Sequence, residues 1–382
     1  MNFFFSTLYG QATPTNSDFL NLKSSLKSFI STNSEVNIRL LARMSFHDMI
    51  DFQPGTNQGT GCLIKQSVLN FSENQGLSNE VQSLQKFVTS KFPTTNFTFG
   101  DVVTLAGKVA FETAYPCIQI KWRFGRSQCT GQNEQEGGAS GSVNSLSQFQ
   151  PFLTRYGLSA QEMAILTAGA HGLATSSAHI GVSGFGNFDF AEVNSGKDWI
   201  LQTINTGWKA IQSSAGNLQF LSRSNLLRLP SDLVFFPDVV AKSGGGNVDH
   251  SADAIQSKMQ NYAQQYRSQF DNDFAQVYSK LLEVGANTAT LQNFVEPQST
   301  GTCSPASPAG ASPIQSNNNS PPSNPLSTGG TSPFQFGNLF PFHPPPPPPL
   351  FGHGFGFQIL SINDAQHLGH QITSYLLIVF FV

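Results

Sequence analysis

Arg43, Phe46 and His47 stand at i, i+3 and i+4 in the stretch IRLLARMSFHDMI, with Asp48 directly after. In a helix that spacing puts the three side chains on one face, one turn apart. A guanidinium, an aromatic ring and an imidazole sharing a face suit peroxide chemistry. A neutral imidazole takes the proton from a bound peroxide and hands it to the leaving oxygen. A fixed cation beside it stabilises charge developing on the oxygen pair. The ring of Phe46 keeps the pocket narrow and apolar. The reaction also needs a metal to accept the other oxygen.

The complementary group lies in LTAGAHGLA, where His171 follows Ala168, Gly169 and Ala170 near the end of an apolar helix. Small residues let a flat cofactor approach the backbone, and one proximal imidazole commonly holds haem iron. In LRLPSDLVFFPD, Asp232 comes just after Pro230. A buried carboxylate accepting the ring N–H of His171 makes that imidazole a more basic ligand. Together these residues read as a haem b site. Hydrogen peroxide is one expected substrate and a small-molecule electron donor, phenolic in type, the other.

These residues resemble the plant, fungal and bacterial haem peroxidase superfamily, which includes cytochrome c peroxidase, ascorbate peroxidase and the secreted enzymes. Arg43, Phe46, His47 and Asp48 match its distal R-x-x-F/W-H-D motif, and Gly169, Ala170 and His171 its G-A-H motif. Asp232 occupies its L-P-x-D motif. FSENQGL resembles its N-x-G-L, which makes Asn74 the amide that orients His47. KWRFGR resembles its W-x-x-G-R element at Trp122, Gly125 and Arg126. The resemblance covers most of 15–290. It implies a mainly α fold with minor β, in which two helical subdomains sandwich the haem. It implies Arg43, Phe46, His47 and Asn74 on the distal side and His171 as axial iron ligand. Asp232, Thr175, Ser177 and Phe188 would line the cofactor, with Phe185 the alternative to Phe188.

The departures from the pattern carry information too. Secreted members read G-C-D-x-S at a distal calcium, where this chain reads GCLIK. Leu63 and Lys65 replace two ligands, so a calcium at Asp48 would have an incomplete ligand set. Gly172 stands where a Thr often ligates a proximal cation. Thr175 and Ser177 stand at the propionate positions, an arrangement expected to hold haem more weakly. The distal Phe46 is of the secreted type. The alternative to an enzyme is a degenerate member acting as an extracellular matrix or surface interaction module, with little or no haem.

These side chains need helices to position them. SDFLNLKSSLKSFI has apolar spacing with Ser17 as a candidate N-cap. GDVVTLAGKVAFETA follows with Asp101 near its start, and its apolar residues read as core. Ser159 and Glu162 form a capping-box pattern ahead of His171. HSADAIQSKMQNYAQQYRSQFDNDFAQVYSKLLEVG reads as one long helix closed by Gly285. Strand signals are sparse, CIQIKWRFG being the best. Cys117 and Cys129 flank that segment, either as a local disulfide or as unrelated thiols; no C-x-x-C supports a zinc site.

The ends differ in composition. Residues 1–14 read as a short or truncated secretion signal, and 15–296 as the one folded domain. The Pro/Ser/Gly-rich 297–350 reads as disordered linker. Residues 351–382 end in ITSYLLIVFFV, too short to span a bilayer. This tail fits either a lipid-anchor signal contacting a membrane surface or a disordered end. Net charge is -3 with no basic block, which excludes nucleic acid as a partner. Only 11% of residues are charged, and uncharged polar residues fill the surface. With sequons at Asn70, Asn96 and Asn318, this points to a secreted or cell-surface monomer carrying glycans and disulfides.

Overall fold

Three helices open on the same device in the computed structural model. The hydroxyls of Thr15, Thr98 and Ser159 accept the N–H groups of Asp18, Asp101 and Glu162. Each of those carboxylates accepts the cap N–H in return, so two otherwise orphaned donors are satisfied at once. The Ser159 and Asp101 expectations hold. The first helix is capped by Thr15, not Ser17, because only Thr15 has an acidic residue placed to complete the box.

The structure describes residues 13–296, apart from 34–35, 51–60, 72–73, 75, 94–95, 128, 130–142, 174–178, 182–186, 190–194, 214–215, 225, 246–247 and 266. The side chains at 179–181 and 187–189 also lie outside the description. The expected leader up to residue 12, and the linker and tail from 297, fall outside it as well.

Among the described residues the chain is mainly helical. The helices run α1 (Asn16–Thr32), α2 (Ile38–Ile50), α3 (Gln66–Leu69), α4 (Ser78–Lys91), α5 (Phe99–Ala114) and α6 (Leu146–Tyr156). They continue as α7 (Ala160–His171), α8 (Gly196–Asn205), α9 (Pro230–Leu233), α10 (Pro237–Ser243), α11 (Asp253–Gln264) and α12 (Arg267–Leu281). None is long and apolar enough to cross a membrane. The strands are short. β1 (Arg123–Phe124) pairs with β7 (Gln292–Asn293), and β2 (His179–Gly181) with β3 (Asn187–Asp189). β4 (Trp208–Gln212), β5 (Leu218–Ser222) and β6 (Leu227–Arg228) form an antiparallel sheet.

The expected long terminal helix is two helices. Gln265 takes an extended conformation between them. Its N–H still bonds back to Asn261 and Tyr262, and its carbonyl accepts from Lys197 of α8. The break lets Tyr262 and Phe270 meet edge to face, with centroids 5.4 Å apart. Gly285 lies beyond the end of α12 and has the left-handed φ expected of a closing glycine.

α5 is the shared wall of the core, and its residues from Gly100 to Phe111 are buried, as its apolar pattern predicts. It packs on α1 and α2. Its Phe111 also meets Phe274 and Tyr278 of α12 at 4.9 and 4.6 Å. Tyr115 O–H donates to the Gly169 carbonyl of α7 at 2.9 Å. Tyr278 O–H reaches Ser45 of α2 at 3.1 Å. α2 and α7 are therefore fixed relative to each other through α5 and α12. A direct tie runs from Arg39 Nε to the Leu173 carbonyl at 2.9 Å.

A disulfide joins Cys62 to Cys129, not Cys117 to Cys129, and Cys117 is itself disulfide-bonded. The bridge spans a separation of 67 residues and ties the segment after α2 to the one after β1. Sequence proximity favoured Cys117, but the fold brings Cys62 to Cys129. None of the described cysteines is free.

Candidate active site

His47 is on the last turn of α2, and His171 is the last residue of α7. Each ring is tied through Nδ1. His47 Nδ1 lies 2.8 Å from Asn74 Oδ1. The buried Asn74 donates its Nδ2 to the Val68 carbonyl at 2.9 Å. That bond turns the amide so that its oxygen faces the ring. Nδ1 must then carry the proton, leaving Nε2 a bare acceptor. His171 Nδ1 lies 2.7 Å from Asp232 Oδ1. The other carboxylate oxygen accepts the Leu229 N–H at 2.8 Å, and the group is fully buried. A carboxylate oxygen only accepts, so Nδ1 donates to Asp232. Pro230 opens the turn that presents Asp232, and the capping bond to Leu229 fixes the carboxylate.

His47 is held as a neutral base. Its ring edge is partly exposed, but protein encloses the rest. Burial and then the charge of Arg43 push its pKa down to about 3, while the Asn74 bond acts the other way. Phe46 packs partly buried against the core, its ring edge-on to His47 with centroids 6.0 Å apart. Arg43 lies one turn before His47 on the same helix. The structure thus brings Arg43, Phe46, His47 and Asn74 together, and pairs His171 with Asp232.

Asp48 is buried and accepts the Gly61 N–H at 3.1 Å, which ties the end of α2 to the disulfide segment. That bond gives it a structural use whether or not a cation binds. Thr175 and Ser177 lie outside the described residues. Phe188 sits on β3 opposite Ile180, with its side chain outside the description.

The small residues before His171 serve a different purpose from the one expected. A Cβ on Gly169 would meet Phe274 of α12 at 2.1 Å. Ala168 is fully buried in the core. Gly169 and Ala168 thus serve helix packing, while Ala170 beside His171 is only partly buried.

Sequence reasoning missed three neighbours. Trp199 of α8 lies edge-on to His171, with centroids 6.2 Å apart. Arg228 stacks over Trp199 and Trp208 at 4.8 and 4.9 Å. Glu80 of α4 is buried within the electrostatic reach of Arg43. None had a local signal. Each acts by tertiary proximity, and only an unexplained buried charge or indole marks it.

Residues 22–274 match the model of the family described as Peroxidase. The chain belongs to that family. Over 206 residues it is 28% identical to the mitochondrial cytochrome c peroxidase of Candida glabrata, covering 52% of this chain and 55% of the relative. The chain therefore spans about half the length of this curated relative. The peroxidase family implies haem, and the donor set fits it. Haem iron needs only one axial imidazole, and His171 presents a partly exposed ring oriented by its Nδ1 bond to Asp232. A bare metal ion needs several donors, and no group of three or more His, Cys, Asp or Glu gathers among the described residues.

Proposed function

We propose that this chain is a haem-dependent peroxidase that reduces hydrogen peroxide and oxidises a small, phenol-like donor in one-electron steps. The observation that carries the reading is the pair of imidazoles, each fixed at Nδ1 by a buried side-chain oxygen, Asn74 Oδ1 for His47 and Asp232 Oδ1 for His171. A scaffold without chemistry needs neither the Asn74 nor the Asp232 bond. Haem b, when bound, supplies an iron that takes one peroxide oxygen and the electrons that split the O–O bond.

His171 Nε2 is the group that would hold the iron. The Asp232 carboxylate makes His171 a stronger electron donor by drawing on its Nδ1 proton. His47 Nε2 would accept the proton of the incoming peroxide. It then returns that proton to the far oxygen, which leaves as water. Asn74 keeps Nδ1 protonated throughout, so Nε2 alone handles the transfer. Arg43 stabilises the negative charge gathering on the departing oxygen. Phe46 keeps bulk water from competing.

The test is an absorption spectrum of the full chain supplied with haemin, before and after peroxide. A Soret band that shifts on adding peroxide, followed by turnover of a phenol, supports the proposal. No band sinks it. The Cys62–Cys129 bridge supports a secreted or cell-surface location, because such bonds persist in oxidising compartments. Recovery of the tagged chain only inside intact cells would count against that location.

A further inference from the structure

Arg228 of β6 is buried, and its guanidinium lies between two indoles, 4.8 Å from the ring of Trp199 and 4.9 Å from that of Trp208. Hydrogen bonds hold it there. Nη2 donates to Gln202 Oε1 at 2.5 Å, Nε to Thr203 Oγ1 at 3.3 Å and Nη1 to the Leu227 carbonyl at 3.0 Å. Thr203 ties the two indoles together. Its hydroxyl donates to the Trp199 carbonyl at 2.7 Å, and its own carbonyl accepts the Trp208 Nε1–H at 2.8 Å.

The peroxide step uses none of these groups. Yet Trp199 lies edge-on to His171, with centroids 6.2 Å apart, one ring away from the group that would hold the iron. Indoles are among the most readily oxidised side chains, so one in that place invites a leak. An electron would leave the ring for the haem, and Nε1 would lose its proton. One oxidising equivalent delivered by peroxide would then be consumed in the protein instead of the donor.

Two features oppose that loss. A cation over an indole face is attracted to the electron-rich ring. Once the ring has lost an electron, the same cation repels it. The Trp199 Nε1–H is also buried with no hydrogen-bond acceptor among the described residues, so the proton that oxidation makes acidic has no group to receive it. Trp208 sets a second indole across the same cation, at the start of β4. The two rings mark a route leading away from His171, and the guanidinium stands in the middle of it.

We propose that Arg228 keeps Trp199 reduced, which reserves the oxidising power raised at the haem for a small donor outside the protein core. The inference rests on the peroxidase reading and deepens it. Arg228 acts through Trp199 and not on the peroxide.

The test compares wild type with Arg228→Gln and Arg228→Lys in the full chain at about pH 6, far below the ordinary lysine pKa. Both substitutions shorten the side chain, and only Gln removes the cation. Arg228→Met is a second neutral variant should Gln not fold. The haem-loaded proteins receive peroxide without donor. Tryptic mass spectrometry measures oxygen added to each indole, and freeze-quenched electron paramagnetic resonance detects an indole radical. Wild type should show little of either at Trp199. The neutral variants should show at least about tenfold more, a conservative figure for repulsion between unit charges about 5 Å apart inside a protein. Arg228→Lys should stay near wild type, and adding Trp199→Phe to a neutral variant should abolish the gain.

Heavy oxygenation of Trp199 in wild type overturns the proposal by itself. So does an equal rise in the Lys and neutral variants, which marks loosened packing, and so does no rise in the neutral variants. A haem-free arm uses hexachloroiridate, which takes single electrons without binding. The same order of variants should appear at Trp199. If wild type takes up no haemin, the peroxidase reading falls, and this arm still decides whether Arg228 protects the indole, since equal rates in all variants overturn it.

Discussion

At the scale of single residues, the site turns on which ring nitrogen is bare. His47 Nδ1 donates to an amide that Val68 holds in place, so Nε2 has no competing proton. Replacing His47 by Leu should keep haem uptake and slow peroxide cleavage by roughly 10²- to 10⁴-fold in stopped flow, the usual worth of a positioned general base. A rate within a few-fold of wild type would remove His47 from the mechanism. The same ring makes stability depend on pH. Its folded pKa of about 3 lies below the ordinary value of 6.5. Between those values the unfolded chain binds a proton that the folded chain refuses, so stability falls as pH drops through that window. The loss is complete only below the folded value. Melting curves over this range should decline less steeply for His47→Leu than for wild type. Parallel curves would show that the imidazole is not held neutral. The residues proposed for the chemistry could be named from the sequence because each step demands one side-chain type at one spacing. Glu80, Trp199 and Arg228 could not, because what makes them matter is a neighbour from another helix.

At the scale of elements, caps were legible and helix breaks were not. Ser159 and Glu162 announce α7 locally, whereas nothing in YAQQYRSQF announces that Gln265 turns extended. Apolar spacing continues through that stretch, and the break appears only when Lys197 takes the Gln265 carbonyl. The β4–β6 sheet was also missed. Its strands are two to five residues long, below the length at which alternation stands out. Gly169 shows how a correct motif can hide a wrong reason. It is there for Phe274, against which a Cβ would fall at 2.1 Å. Gly169→Ala should therefore destabilise the fold by about 1–3 kcal/mol, the range for overpacking a tight core. In a Phe274→Leu background the added cost should shrink. Equal costs in both backgrounds, by denaturant titration, would place the strain elsewhere.

At the scale of the whole molecule, buried charge and a covalent bridge hold the distal half together. Arg126 is buried and pairs with Asp101 at 3.0 Å. Asp101 also caps α5 and accepts the Gly125 N–H, so one carboxylate fixes both the helix that walls the core and the strand end after β1. Three residues on, Cys129 bridges to Cys62, whose neighbour Gly61 donates to Asp48 at the end of α2. The bridge thus stands between the helix bearing His47 and the wall helix α5. Its closed loop of 67 residues corresponds to about 4 kcal/mol of unfolded-state entropy removed. Replacing Cys62 and Cys129 together by Ala should lower denaturant stability by that order. The loss should fall chiefly on the α2 side, so haem held by His171 should outlast the rapid peroxide step as denaturant rises. If haem and peroxide reactivity are lost together at one midpoint, the bridge supports the whole fold and not the distal wall in particular.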